Sequence, residues 1–302
     1  LCCALCALVL LENKEEGLKM KFYDAHIHFF YEGSLGQLRK TYAFLEKIGL
    51  GGLDALVLAE FPSEIETLLK MIPGIYHKDV TDRALENQRD PFPALKETSS
   101  LKIIPFLDAR FIGDGIEERI EGFRKRGFQG IKLLYVPEED PVVRIGGMGK
   151  AFGRTIKQSE EITSSVIESA SRQRMPILLH VDLRKHGAFV SEQLRRHPPI
   201  NFNIPHFGFS RREIGSLLEN YPNCYTDLSS LGSFMQEDPG SYRDFIQTYQ
   251  DRILFGSDAL IGQPETVQSA LIFLEEFLKG QEIFLKLVNR NYLKFHGLPE
   301  EK

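Results

Sequence analysis

From Met20 onward the chain repeats one pattern: a short, almost wholly apolar run, then a stretch with helical spacing of its apolar residues. The runs predicted as strands are Lys21–Phe29, Asp54–Ala59, Lys102–Asp108, Gly130–Leu134, Pro176–Val181, Phe202–His206, Cys224–Leu228 and Ile253–Phe255. Runs that stay apolar on both faces of the pleat suit parallel strands covered by helices. Helices are predicted over Leu35–Ile48, Glu160–Gln173, Glu265–Lys279 and Gln281–Phe295, with another after Gly187. Three more are expected to start at caps: Ser63 with Glu66, Asp114 with Glu117, and Ser210. The second of these ends at Lys125-Arg126-Gly127, cations followed by glycine. Eight strand-then-helix units predict an α/β fold, a (β/α)8 TIM barrel. An open doubly wound sheet would call for a glycine-rich phosphate turn after the first strand, where this chain has His28-Phe29-Phe30-Tyr31.

The connections Pro73–Ser100, Pro137–Lys157 and Gly232–Ser241 are predicted as long irregular loops that shape the barrel mouth. Gly49 to Gly52 is predicted as a break before the second strand. Within the second long loop, Gly146 to Gly153 does not fit a phosphate loop. Arg144 and Ala151 stand where a Walker A motif needs Gly and Ser/Thr, and Phe152 stands where a dinucleotide fingerprint needs Gly.

The 302 residues are 42% hydrophobic and 26% charged, the balance of a soluble globular enzyme. A net charge of −5 argues against a nucleic-acid partner, which would need a basic surface. Cys2, Cys3, Cys6 and Cys224 do not make a disulfide framework. The apolar stretch Leu1–Leu11 is shorter than the ~20 residues that span a bilayer. It lacks the basic start and the small-residue cleavage site of a signal peptide. Residues 1–19 are therefore expected to be a leader or misassigned start, and 20–302 a single barrel domain, cytoplasmic and with no membrane partner.

Chemistry is concentrated at the strand ends. In Asp24-Ala25-His26-Ile27-His28 the two histidines share one strand face, roughly 6.6 Å apart at ~3.3 Å per residue, a separation that lets both lean onto one metal ion. His180 stands near the end of the fifth strand, His206 ends the sixth, and Asp258 follows the eighth. In a (β/α)8 barrel the C-terminal strand ends form the active-site mouth, so four of the chain's eight histidines and one aspartate would converge there. His77, His186, His197 and His296 are expected to be ordinary surface residues.

These pieces resemble the amidohydrolase superfamily, in particular its amidohydrolase-related branch of metal-dependent hydrolases and decarboxylases. The matching segments are DAHIH, GIKLL, ILLH, IPHFG, CYTDLSS and RILFGSDA at strands 1 and 4 to 8, and the closing NRNYLKFHGL. The resemblance covers Met20 to about Leu298. It implies that His26, His28 and His180 hold one divalent metal, zinc first and Mn2+ or another first-row ion as alternatives. It implies Asp258 as a further ligand or as the base beside the metal-bound water. It implies that His206 faces substrate, stabilising negative charge or relaying a proton. Lys132 bridges two metals in binuclear relatives when carboxylated. Here one metal and a structural or substrate-contacting Lys132 are expected. Arg110, two residues past Asp108, is a candidate for holding a substrate carboxylate, because its planar fork fits one bidentately.

The expected activity is hydrolysis of a C–N or C–O bond in a small molecule. Decarboxylation on the same site is the alternative. A TatD-like nuclease, which would call for Glu in place of Lys132, and a non-catalytic metal-binding barrel are the further rivals. Self-association as a homo-oligomer is left open.

Overall fold

The computed structural model describes residues 21–61, 65–70, 77–78, 80–97, 100–138, 148–278 and 280–300. The leader, the predicted cap Ser63 and part of the glycine-rich stretch lie outside the described residues. Nine strands form one sheet: β1 Phe22–His28, β2 Leu50–Val57, β3 Lys102–Asp108, β4 Gly130–Tyr135, β5 Ile177–Val181, β6 Phe202–Ile204, β7 Cys224–Asp227, β8 Ile253–Leu254 and β9 Ala259–Leu260. The order is β8-β7-β6-β5-β4-β3-β2-β1-β9, and the pairing is parallel throughout. The predicted eighth strand is thus two short pieces with Phe255–Asp258 between them. Ala25 N donates to Phe255 O (2.9 Å) and Asp258 N donates to His26 O (2.9 Å), so this run closes the sheet against β1.

Alternation along the strands explains the closure. Tyr23, Ala25, Leu56, Ile104, Phe106, Leu178, Tyr225 and Leu254 pack with one another and with Tyr292, Leu293 and Phe295, filling the inside of the barrel. The intervening residues, among them Leu53, Ala55, Leu107, Ile131, Ile177, Leu179, Phe202 and Cys224, pack outward against the helices. Toward the C-terminal strand ends the buried residues become polar: His26, Asp108, Lys132, Asn203 and Asp227. A barrel lined by apolar residues below and charged ones above has one chemically active end.

Several local expectations need correction. β2 starts at Leu50, so Gly51 and Gly52 belong to the strand. A side chain at Gly52 would collide with the backbone of Lys102 on β3, and glycine here serves close strand approach. The region predicted as irregular before β3 contains helices Asp82–Arg89 and Phe92–Leu95. The next long loop contains helix Met148–Phe152, and the following helix starts at Ile156, capped by Thr155. Gly232–Ser241 is not a loop: it holds helix Gly232–Glu237 and the start of Pro239–Tyr249. Asp114 does not cap its helix. Gly115, in the left-handed region, occupies that position, and Asp114 Oδ1 accepts from Arg119 (2.7 Å). The helix after β5 starts at Leu183, capped by Asp182, before Gly187. Ser210 does cap its helix, accepting from Glu213 N.

Two histidines expected at the surface are not there. His197 is buried, and His296 lies 3.0 Å from Asp54 inside the barrel, where Tyr292 also donates to Asp54 (2.8 Å).

Candidate metal centre

β1 delivers His26 and His28 to the same carboxylate. Each Nε2 lies 3.2 Å from Asp258 Oδ1. Asp258 takes a left-handed backbone (φ 59°), and its Oδ2 accepts from Ser230 Oγ at 2.7 Å. Burial would raise the Asp258 pKa, but the imidazoles of His26, His28 and His206 outweigh it and hold the carboxyl well below its usual range.

His206 enters on a turn rather than on the strand itself. β6 stops at Ile204, and His206, Phe207, Gly208 and Phe209 all have φ between 54° and 59°. Such backbone is costly for side-chain-bearing residues and is found where a site over-determines it. The turn packs Phe207 against Phe245 of the helix Pro239–Tyr249 (ring centroids 4.8 Å). It leaves Phe209 beside His180 (5.3 Å) and His206 (5.8 Å), with 38% of its surface exposed. The rings of His180 and His206 are 5.1 Å apart.

Among the described residues His26, His206 and Asp258 each offer one ligand atom, all within 4.8 Å of one another. His26 Nε2 is buried and, despite its nearness to Asp258, has no hydrogen-bond partner. Burial pushes the His26 pKa down, and that of His180 well down, so both rings are neutral near pH 7. A buried, neutral, unpartnered imidazole nitrogen beside a carboxylate fits a divalent metal ion.

A further set of buried charged residues adjoins this group. Lys132 is buried next to Asp108 across the β3–β4 pair. Burial pulls its pKa down to about 8, against the opposing pull of Asp108. Arg110 turns its fork on Asp108, with Nε–Oδ1 at 2.9 Å and Nη2–Oδ2 at 2.5 Å.

The amidohydrolase family matches residues 23–295, nearly the whole barrel. The chain belongs to the amidohydrolase family. As an amidohydrolase-family barrel it shares its fold with solved structures of low sequence identity. A phosphotriesterase homology protein from Escherichia coli, complexed with phosphate, has a TM-score of 0.55 at 10% identity, over 92% of this chain and 99% of that one. A TatD family hydrolase from Entamoeba histolytica has 0.57 at 9% identity, over 91% and 98%. A 5-methylcytosine deaminase from Klebsiella pneumoniae has 0.56 at 12% identity, over 91% and 74%. These likenesses concern the fold. No curated protein matches the sequence. Among the described residues no helix is long and apolar enough to cross a membrane.

Within this amidohydrolase-family site the structure brings His26, His28, His180, His206 and Asp258 to one end of the barrel. His206, expected to face substrate, shares the three-donor cluster, while His28 and His180 flank it. Asp227 and Ser229 on the β7 end were not singled out in the sequence, although both are buried and contact the site histidines. The signal available was position: Asp227 is one more polar residue at a C-terminal strand end.

Proposed function

We propose that this chain is a metal-dependent hydrolase of a small molecule, cleaving a C–N or C–O bond, with zinc as the ion its donor set suits best. The observation that carries the reading is the buried cluster of His26, His206 and Asp258, in which His26 Nε2 has no hydrogen-bond partner. His26, His206 and Asp258 would hold the ion, with His28 and His180 at its flanks. When bound, a divalent ion polarises the scissile bond and makes water a better nucleophile near neutral pH. The chain's own residues supply the proton chemistry. Asp258 is ionised, one oxygen faces the imidazoles and the other is held by Ser230, and a fifth of its side chain remains exposed. That places a carboxylate at the mouth, ready to accept a proton from attacking water. Phe209 provides an apolar wall beside His180 and His206.

The decarboxylase alternative needs a cation for the substrate carboxylate. Arg110, a candidate for that role beside the ion itself, donates to Asp108 through Nε and Nη2. The test is Asp258→Asn on the first amide or ester turned over. It keeps the shape but removes the base, so kcat should fall about 10²–10⁴-fold. A kcat near wild type would reject the proposal.

A further inference from the structure

The inference here deepens the reading of the site just given and concerns Asp227 and Ser229. We infer that these two residues are a positioning pair that locks both His26 and His206 as Nδ1–H tautomers, so that each turns an Nε2 lone pair to the site.

The hydrogen-bond partners fix where the ring hydrogens sit. His206 Nδ1 is 2.8 Å from the backbone carbonyl of Ser229. A carbonyl only accepts, so His206 Nδ1 carries a hydrogen. On Asp227, Oδ1 accepts from the backbone N–H groups of His206 (3.2 Å) and Ser229 (3.1 Å), and from Ser229 Oγ. Oδ2 accepts from Asn203 Nδ2 (2.9 Å) and lies 3.1 Å from His26 Nδ1. An ionised carboxylate only accepts, so His26 Nδ1 carries a hydrogen as well. Ser229 Oγ has one hydrogen, given to Asp227. Its lone pairs face His26 Nδ1 (3.2 Å) and His206 Nδ1 (2.9 Å). This assignment gives every donor an acceptor and sets no two hydrogens against each other.

A neutral imidazole has one ring hydrogen. With it fixed on Nδ1, Nε2 of both rings is a lone-pair donor. For His206 this changes the role expected from the sequence. In its neutral form it cannot stabilise negative charge by donating from Nε2. It can hold an ion or accept a proton, and it donates only after it has accepted one. The left-handed turn belongs to the same device, because it aims the His206 N–H at Asp227 Oδ1.

The test is long-range 1H–15N correlation on the full chain with 15N-labelled histidine, metal-free and then titrated with zinc chloride. His26→Gln and His206→Gln serve to assign the signals. Both rings should show a protonated Nδ1 and an unprotonated Nε2 before zinc is added. Asp227→Asn must place its single oxygen on the side of the two backbone N–H donors, which turns the amide NH2 toward His26. His26 should then move its hydrogen to Nε2, and zinc affinity should fall about 10–100-fold. His206 should keep Nδ1–H, because the Ser229 carbonyl remains. Ser229→Ala should keep both tautomers and lose less affinity than Asp227→Asn. Nε2–H on either ring of the wild-type protein overturns the inference, as does a folded Asp227→Asn with unchanged His26 tautomer and zinc affinity. If Asp227→Asn does not fold, the wild-type and Ser229→Ala spectra decide. Absence of turnover would end the hydrolase reading, yet the tautomer spectrum would still decide this one.

Discussion

Lys132→Met should change how stability depends on pH, and the size of the change follows from burial. Lys132 has 2% of its surface exposed and stands opposite Asp108 on the neighbouring strand. Burial lowers its pKa from 10.5 to about 8, with Asp108 opposing and Arg110 adding to the fall. In the unfolded chain a lysine titrates near its ordinary value of about 10.4. Below pH 8 both states hold the proton, and the folded state bears the full cost of the buried charge. Between about 8 and 10.5 the unfolded chain holds more protons than the folded one, so stability rises with pH through that window. At 1.36 kcal/mol per pH unit the gap corresponds to about 3 kcal/mol. Other lysines and tyrosines titrate in both proteins, so the quantity to read is the difference between wild type and Lys132→Met. Urea unfolding of the metal-free full chain at pH 7, 9 and 10.5 measures it. The difference should shift in favour of wild type by about 3 kcal/mol from the lowest pH to the highest. A difference that stays constant with pH would refute the assignment of a buried, depressed lysine.

Two further perturbations probe the scaffold. Gly208→Ala puts a side chain at φ 55°, with its Cβ 2.5 Å from Cγ of the buried Leu183. The left-handed backbone costs about 1–2 kcal/mol and overpacking about 1–3 kcal/mol. Urea unfolding should show that combined loss and zinc titration a weaker site, whereas an unchanged midpoint would contradict the role given to the turn. Asp54→Ala leaves the buried Tyr292 hydroxyl and His296 without their carboxylate. Unfolding free energy should drop by about 1–3 kcal/mol with zinc affinity unchanged, and a zinc site that weakens in step would show the two ends of the barrel to be coupled.

The strands that read most clearly in the sequence are those buried on both faces, such as Lys102–Asp108, found with the same bounds. Gly51 and Gly52 obscured β2, because glycine reads as a break when in fact it admits a neighbouring strand. The missed helices bury little: Gly232–Glu237 buries Met235, and Asp82–Arg89 buries Ala84, Leu85 and Gln88. Too few apolar positions remain to set a period. The site histidines stood out as polar residues ending apolar runs. What joins them was hidden, since the Asp227 contacts to His26 and His206 span 201 and 21 positions of sequence. The turn at His206 was hidden too, because four successive residues with positive φ have no local composition that announces them. Arg110 was legible as a strand-end cation, but not its engagement by Asp108.

The central claim is that this barrel holds a catalytic divalent ion on His26, His206 and Asp258. Elemental analysis of the purified full chain, beside a His26→Ala/Asp258→Ala variant of verified fold, tests it most directly. The expected result is about one divalent ion per wild-type chain, chiefly zinc, and little or none in the variant. Equal metal content in the two proteins, or a metal-free wild type that turns over substrate at full rate, would contradict it.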